Sequence, residues 1–235
     1  MEHHKAIKQD AYMAKNKHMI MLGKNRNLTY YQLKESDIEK FTSFIYQVYA
    51  KEYKEKYNWN PESSCYDEMI AEDRKYAPYA NHYICYDQQA GIIGACRITK
   101  KSGDTVFPIE TSFHVKLDYL LKGGFFDIHE VWHFGRLAID KQKIREYNLP
   151  VSSREILSNL LFLSLSVVCR DKNNLLISEI DYNVFRLMNQ LGINMEIVGM
   201  PKFYIGSNTF PAIVTAFDLS DWLKEHDDSY IQHVS

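Results

Sequence analysis

The stretch HEVWHFGRLAID, His129 to Asp140, limits the possible folds more than any other part of the chain. It has the apolar content of a buried β-strand, yet it carries Glu130, His133 and Arg136 within seven residues. Ionisable groups persist inside a sheet only where they are paired or used, because an unpaired charge in an apolar interior is strongly destabilising. Strict alternation puts Glu130, Trp132, Phe134 and Arg136 on one face, with His133 and Gly135 on the other. A one-residue bulge near Gly135 changes that parity and brings His133 and Arg136 together. The bland alternative is a structural ion pair between Glu130 and Arg136 beside a hydrogen-bonded core histidine.

The rest of the chain supplies elements to build a sheet around this strand. LTYYQLK (28–34) reads as a first strand. Glu35, Ser36 and Asp37 open an amphipathic helix whose Ile38, Phe41, Ile45, Val48 and Tyr49 fall on one side. NWNPESSCYDE (58–68) is turn-rich and holds Trp59 and Asp67. HYICYD and GIIGACRITKK form a hairpin through QQAG, and SGDTVFPIE reads as a loop. A strong helix follows the charged strand, with Ser152 as N-cap and Glu155 completing a Ser-x-x-Glu capping box. LLISEID is a strand, YNVFRLMNQLG a helix stopped by Gly192, and MEIVG, KFYIG and PAIVTAFDL supply the last strands. Early hairpins imply antiparallel neighbours, and the later helix between strands implies parallel ones. The expected class is α/β (α+β), a mixed sheet with helices on both faces. The expected organisation is an arm over 1–27, one domain over 28–219 and a polar tail over 220–235.

Composition narrows the function classes. The net charge of −2 gives no field that would gather nucleic acid. No apolar run is long enough to span a membrane or to serve as a signal peptide, so the reading is a cytoplasmic protein. The four cysteines at 65, 85, 96 and 169 have no metal-ligand spacing, so no metal is expected and the thiols are read as reduced.

Several residues carry chemistry. A bulge at Gly135 frees a backbone N–H that can polarise an acyl carbonyl, and His133 or Glu130 can take a proton from an amine. Arg97, ending GIIGAC, can grip a carboxylate or phosphate, or it can reach solvent. The helix start at Ser152 and Ser153, after a loop holding Lys141, Lys143 and Arg145, can receive a phosphate. Trp59 is a core anchor or a pocket wall.

In order and spacing, IYQVYAKEYKEKYNW, CYDE, GIIGACRIT, EVWHFGRLAIDK and ISEIDYNVFRLMNQLGINMEIVG resemble the acyl-homoserine-lactone synthases and the long-chain N-acyl amino acid synthases. Both are GNAT-like N-acyltransferases, and the resemblance spans roughly residues 28–219. It implies a GNAT-like sheet with a V-shaped split between its central strands. It also implies transfer of a fatty acyl chain from a phosphopantetheine thioester to the amine of a small amino acid-like acceptor. The expected donor partner is acyl carrier protein, with no tightly bound cofactor. Trp59 matches the family's tryptophan after the first helix, Tyr66 and Asp67 its aromatic–Asp pair, and Arg97 its strand-end arginine. Arg136 matches its strand arginine, but His133 stands where the family has glutamate, with Glu130 three residues further back. Tyr53 fits the aromatic of the first helix, and Tyr49 occupies the family's arginine position.

Those two departures weaken lactone formation from S-adenosylmethionine more than acyl transfer to another acceptor. By this resemblance the carbonyl rests on backbone N–H groups around Phe134 and Gly135, and Ser152, Ser153 and Arg145 hold the phosphopantetheine phosphate. An acetyl-coenzyme A acetyltransferase is the second reading, opposed by the missing Q/R-x-x-G-x-G/A loop. A catalytically silent binding module of the same fold is the third.

Overall fold

Alternation and helical spacing resolve into ten strands and eight α-helices over residues 19–62, 64–123, 127–226 and 232–233, which the computed structural model describes. In chain order these are β1 (Met19–Asn25), β2 (Leu28–Leu33), α1 (Ile38–Tyr57), α2 (Ser64–Tyr76), β3 (Ala80–Asp87) and β4 (Gly91–Lys100). Then come α3 (Pro108–Thr111), α4 (Leu117–Gly123), β5 (Val131–Ile139), α5 (Lys141–Glu146), α6 (Ser153–Val168) and β6 (Leu175–Asp181). The last are α7 (Tyr182–Gln190), β7 (Glu196–Ile197), β8 (Lys202–Tyr204), β9 (Ser207–Thr215), α8 (Ala216–His226) and β10 (Gln232–His233).

The strands make one sheet in the order β10–β1–β2–β3–β4–β5–β6–β9–β7, with β8 on β9. Among the described residues only β5 and β6 run parallel; the other pairs are antiparallel. The β5–β6 connection is the crossover that a parallel pair requires, and it carries α6. Ser152 caps α6 as expected, its Oγ accepting from the Glu155 N–H at 3.1 Å. The β3–β4 hairpin closes on an Asx turn, in which Asp87 Oδ1 accepts from the N–H groups of Gln89 and Ala90.

Helices cover both faces, as the alternation requires. Leu157, Leu160 and Leu161 of α6 pack with Trp132, Phe134 and Leu176 on one side. Phe41, Phe44, Ile45 and Val48 of α1 pack with Ala95 and Ala138 on the other. Each fully buried Leu, Ile or Phe contributes about 1.5–3 kcal/mol. The long helix is therefore core over most of its length.

Five segments differ from the sequence reading. SGDTVFPIE, read as a loop, runs into α3, and the loop holding Lys141, Lys143 and Arg145 is helix α5, capped by Asp140. Helix α2 covers part of the stretch read as turns, so Asp67 lies in a helical first turn rather than a loop. Its inward face is Met69, Ile70, Asp73 and Tyr76. A buried acid on that face breaks the apolar period that marks a helix. Strand β1 falls within the segment set apart as an arm; of its residues only Gly23 is buried, so no alternation announces it. Helix α8 occupies residues divided between a last strand and a polar tail, and it buries Ala216, Leu219 and Trp222 at three-residue spacing. The part of the arm over 1–18 lies outside the described residues. No helix among the described residues is long and apolar enough to cross a membrane.

Candidate functional site

The sheet opens at its parallel pair. β5 and β6 run in register from Val131 opposite Leu175 to Phe134 opposite Ser178. At that last rung Ser178 Oγ donates to the Phe134 carbonyl at 2.8 Å. Beyond it Gly135 to Ile139 have no β6 partner, so backbone groups on that edge of β5 are left for another occupant. This is the V-shaped split.

The bulge lies in the same place. Arg97 pairs with Gly135 and Ala95 with Ala138, so three steps on β5 meet two on β4. Arg136 takes up the excess at φ 56°. Parity changes as a result. His133, Gly135, Arg136 and Ala138 look toward α1 and α2, while Trp132, Phe134, Leu137 and Ile139 look toward α6.

At the split lies a cavity of about 70 Å³ lined by His133, Gly135, Arg136, Arg97, Glu72 and Glu179, among others. His133 Nε2 and Glu179 Oε2 are 2.7 Å apart, with side chains only 2% and 6% exposed. The imidazole stacks flat on Phe107, with centroids 4.6 Å apart. His133 Nδ1 and Glu179 Oε1 are buried and meet no partner among the described residues. Facing a carboxylate, Nε2 carries the proton and donates it, which leaves the Nδ1 lone pair as an acceptor. Gly135 leaves the ring its room: a Cβ there would sit 3.0 Å from His133 Cε1.

Behind the imidazole the two arginines are held by acids of α2. Arg136 Nε donates to Asp73 Oδ1 at 2.9 Å, and Arg97 Nη1 pairs with the same oxygen. Arg97 and Arg136 both reach Glu72 Oε1, at 3.0 and 3.1 Å. Thr42 donates to Asp73 Oδ2 at 2.7 Å. Burial opposes ionisation of Glu72 and Asp73, but Arg136 and then Arg97 outweigh it and hold both carboxyls below the usual range. Arg136 is raised despite its burial, by Glu72 and Asp73.

His82 lies across the strand pair from Arg97, edge-on to Phe41 at 4.8 Å. Burial, then the Arg97 charge, pushes its imidazole from 6.5 down to about 4. Below pH 6.5 the unfolded chain binds a proton that the folded chain refuses, so stability falls with pH until about 4. We expect about 3 kcal/mol to be lost across that window. His82→Asn should flatten this part of the profile in urea melts between pH 7 and 4.5. An unchanged slope in the variant would assign the loss to other groups.

Aromatic rings wall the opposite side. Tyr53 stands 6.1 Å from Trp59, and Trp59 lies against Gly206, where a Cβ would meet its ring at 2.7 Å. Burial pushes the phenols of Tyr49, Tyr53 and Tyr204 up, so each stays neutral and can donate a hydrogen bond.

Tyr49, Tyr53 and Asp181 also line a second cavity of about 330 Å³. Its walls are mostly apolar, with Val48, Leu137, Ile139, Leu157, Val184 and Leu187. It runs along the open edge of β5 to Ser153 and Arg154 at the start of α6, with Lys56 and Lys141 also on its lining. The two spaces therefore adjoin, one small and polar, the other larger and mostly apolar.

Four of the residues singled out in the sequence come together here: His133, Gly135, Arg136 and Arg97. Trp59 stands beside them on the Tyr53 wall. Arg97 is 1% exposed, so it is not a strand end reaching solvent. Ser153 lies at the far end of the apolar groove, while Ser152 is occupied in capping α6. The others stand apart. Glu130 pairs with Lys100 and accepts from the Trp132 indole at 3.1 Å, so neither the ion pair with Arg136 nor a place beside His133 is formed. Asp67 is exposed on α2, Arg145 is exposed on α5, and the Phe134 side chain is buried on the α6 side.

Glu179, Glu72, Asp73 and Tyr204 were not singled out. Glu179 had a signal: LLISEID places acids two apart on an otherwise apolar strand. Such an acid demands a partner for the same reason that His133 does. Glu72 and Asp73 were hidden by the unrecognised helix.

No family model matches the chain, and no curated protein matches it. Solved structures do. FeeM, an N-acyl amino acid synthase from uncultured soil microbes, superposes with a TM-score of 0.55 at 14% identity, over 74% of this chain and 85% of FeeM. TofI, in a ternary complex with an inhibitor and MTA, gives a TM-score of 0.55 at 16% identity, over 87% of this chain and 96% of TofI. At these identities the likeness establishes a shared fold. The chain has the GNAT-like fold that its motifs resemble.

Proposed function

We propose that the chain is an N-acyltransferase that moves an acyl group from a phosphopantetheine thioester to a primary amine. The observation that carries this reading is the His133–Glu179 pair, with Nδ1 unpartnered, at the point where β5 and β6 part. The apolar groove adjoining that point suits a pantetheine arm and the first part of an acyl chain. Its Ser153 end offers the N–H groups of a helix start to a phosphate, with Arg154 alongside.

In the proposed reaction the thioester lies along the open edge of β5, its carbonyl on the N–H groups that the split leaves free. As the amine nitrogen attacks the carbonyl carbon, His133 Nδ1 takes one of its protons. A tetrahedral oxyanion forms, the carbon–sulfur bond breaks, and the proton passes to the departing thiolate. The products are an amide and a free thiol. Glu179 holds the imidazole in the required tautomer and stabilises its charged form. Phe107 fixes the ring plane. The sequence resemblance favours acyl carrier protein as donor, and the GNAT-like fold of the two similar structures supports the reaction class.

The test supplies purified protein with acyl carrier protein and coenzyme A thioesters and a panel of primary amines, and follows thiol release. Amine-dependent release with amide formation by mass spectrometry is expected. Thiol release that is the same with and without amine would defeat the proposal.

A further inference from the structure

The carboxyl groups at the split outnumber its guanidinium groups. The guanidinium groups of Arg97 and Arg136 stand against four carboxylates: Glu72, Asp73, Glu179 and Asp181. The Nη atoms of Arg97 and both Nε and Nη2 of Arg136 are already engaged by Glu72 and Asp73. Neither arginine has a free fork to offer a carboxylate. Arg97 Nε is buried without a partner, but it is the nitrogen nearest the sheet, behind the paired Nη atoms. Among the described residues, Glu179 and Asp181 are the two carboxyl groups at the split that neither arginine meets.

The unpartnered atoms tell the same story. His133 Nδ1 and Glu179 Oε1 are both acceptors, both belong to side chains more than nine-tenths buried, and both residues line the cavity. Buried acceptors without donors are costly, and a ligand rich in N–H groups removes that cost. Asp181 adds an oxygen: Oδ1 caps α7, while Oδ2 faces the Tyr53 hydroxyl at 3.4 Å. An amino acid would bring its own carboxylate beside Glu179 and Asp181, where neither arginine has two free nitrogens for a bidentate grip and where Lys56 and Lys141 of the adjoining groove already lie beside Glu52.

We infer that the acceptor is a cationic alkylamine or diamine that lacks a carboxylate, held by Glu179 and His133 at the reacting nitrogen. This rests on the acyl-transfer reading and departs from the amino acid-like acceptor implied by the sequence resemblance. The ammonium loses two protons over the reaction. One is released to solvent and the other leaves with the thiol, so ammonium and thioester give amide, thiol and a proton.

The experiment compares amino acids with their decarboxylated partners: lysine with cadaverine, ornithine with putrescine, tyrosine with tyramine. Each is supplied with the same acyl thioester, and thiol release gives kcat/KM. The amine of at least one pair should exceed its amino acid tenfold or more, and blocking the carboxylate as the amide should restore most of the difference. Glu179→Gln should narrow the ratio as well as lower the rate. Equal or faster reaction of the amino acids in every pair overturns the inference while leaving acyl transfer intact. Should no compound in the panel support thiol release, the acyl-transfer reading fails. Thermal shift then decides the binding claim: cadaverine or tyramine must raise Tm more than its amino acid, or the inference fails too.

Discussion

Replacing His133 with glutamine is expected to lower amine-dependent thioester turnover by about 10²–10⁴-fold. Glutamine can still donate an N–H to Glu179, so the buried carboxylate keeps a partner and the local packing survives. What it cannot do is accept and release a proton. The loss should therefore appear in turnover, with amine binding much less affected. Glu179→Gln should fall short of the full loss, because the imidazole remains but its tautomer is no longer held. Steady-state kinetics beside thermal melts of both variants checks this. Turnover near that of the unmodified protein in His133→Gln, with the fold intact, would remove the imidazole from the mechanism.

The second large effect is on stability. Asp73 is fully buried and meets Arg97, Arg136 and Thr42. Asp73→Ala leaves two guanidinium groups with only Glu72 between them. Breaking a buried pair from one side costs about 3–5 kcal/mol. In a chain of this length that corresponds to a Tm drop of roughly 6–20 °C. Calorimetry or a thermal melt at neutral pH measures it. Because Asp73 and Glu72 titrate below the usual carboxylate range, their contribution is fully present at neutral pH. It disappears as pH falls through their lowered folded values. The difference between Asp73→Ala and the unmodified protein should therefore shrink in acid. A variant that melts within a degree or two of the unmodified protein would show that the cluster does not hold α2 to the sheet.

Much of this arrangement was legible in the residues. The imidazole and guanidinium in an apolar strand left two readings, a bulge near Gly135 or a Glu130–Arg136 ion pair, and three steps on β5 against two on β4 place the bulge there. Ser152 and Glu155 announced the start of α6. The mixed sheet followed from hairpins early and a helical crossover late. What was not legible has a common cause. Partners of the buried charges come from segments far away in sequence, and no local period carries that information. Asp73 lies 24 residues from Arg97 and 63 from Arg136. Glu179 lies 46 residues from His133. Glu130 looked like the partner of Arg136 only because it is near in the chain; geometry turned it to the Trp132 indole. Helix α2 and the acids it carries went unread together, since Asp73 interrupts the apolar face that would have revealed both.

The extra residue on β5 has one more consequence. A strand keeps time in twos, and Arg136 at φ 56° is a slipped beat. Upstream of it the odd positions serve the polar chamber; downstream the even ones face the same way, so the odd Leu137 and Ile139 line the greasy channel. Side-chain exchange alone cannot move the chain between these two phases. A strand without the slip would need an inserted codon, not a substitution, to arrive at this chemistry.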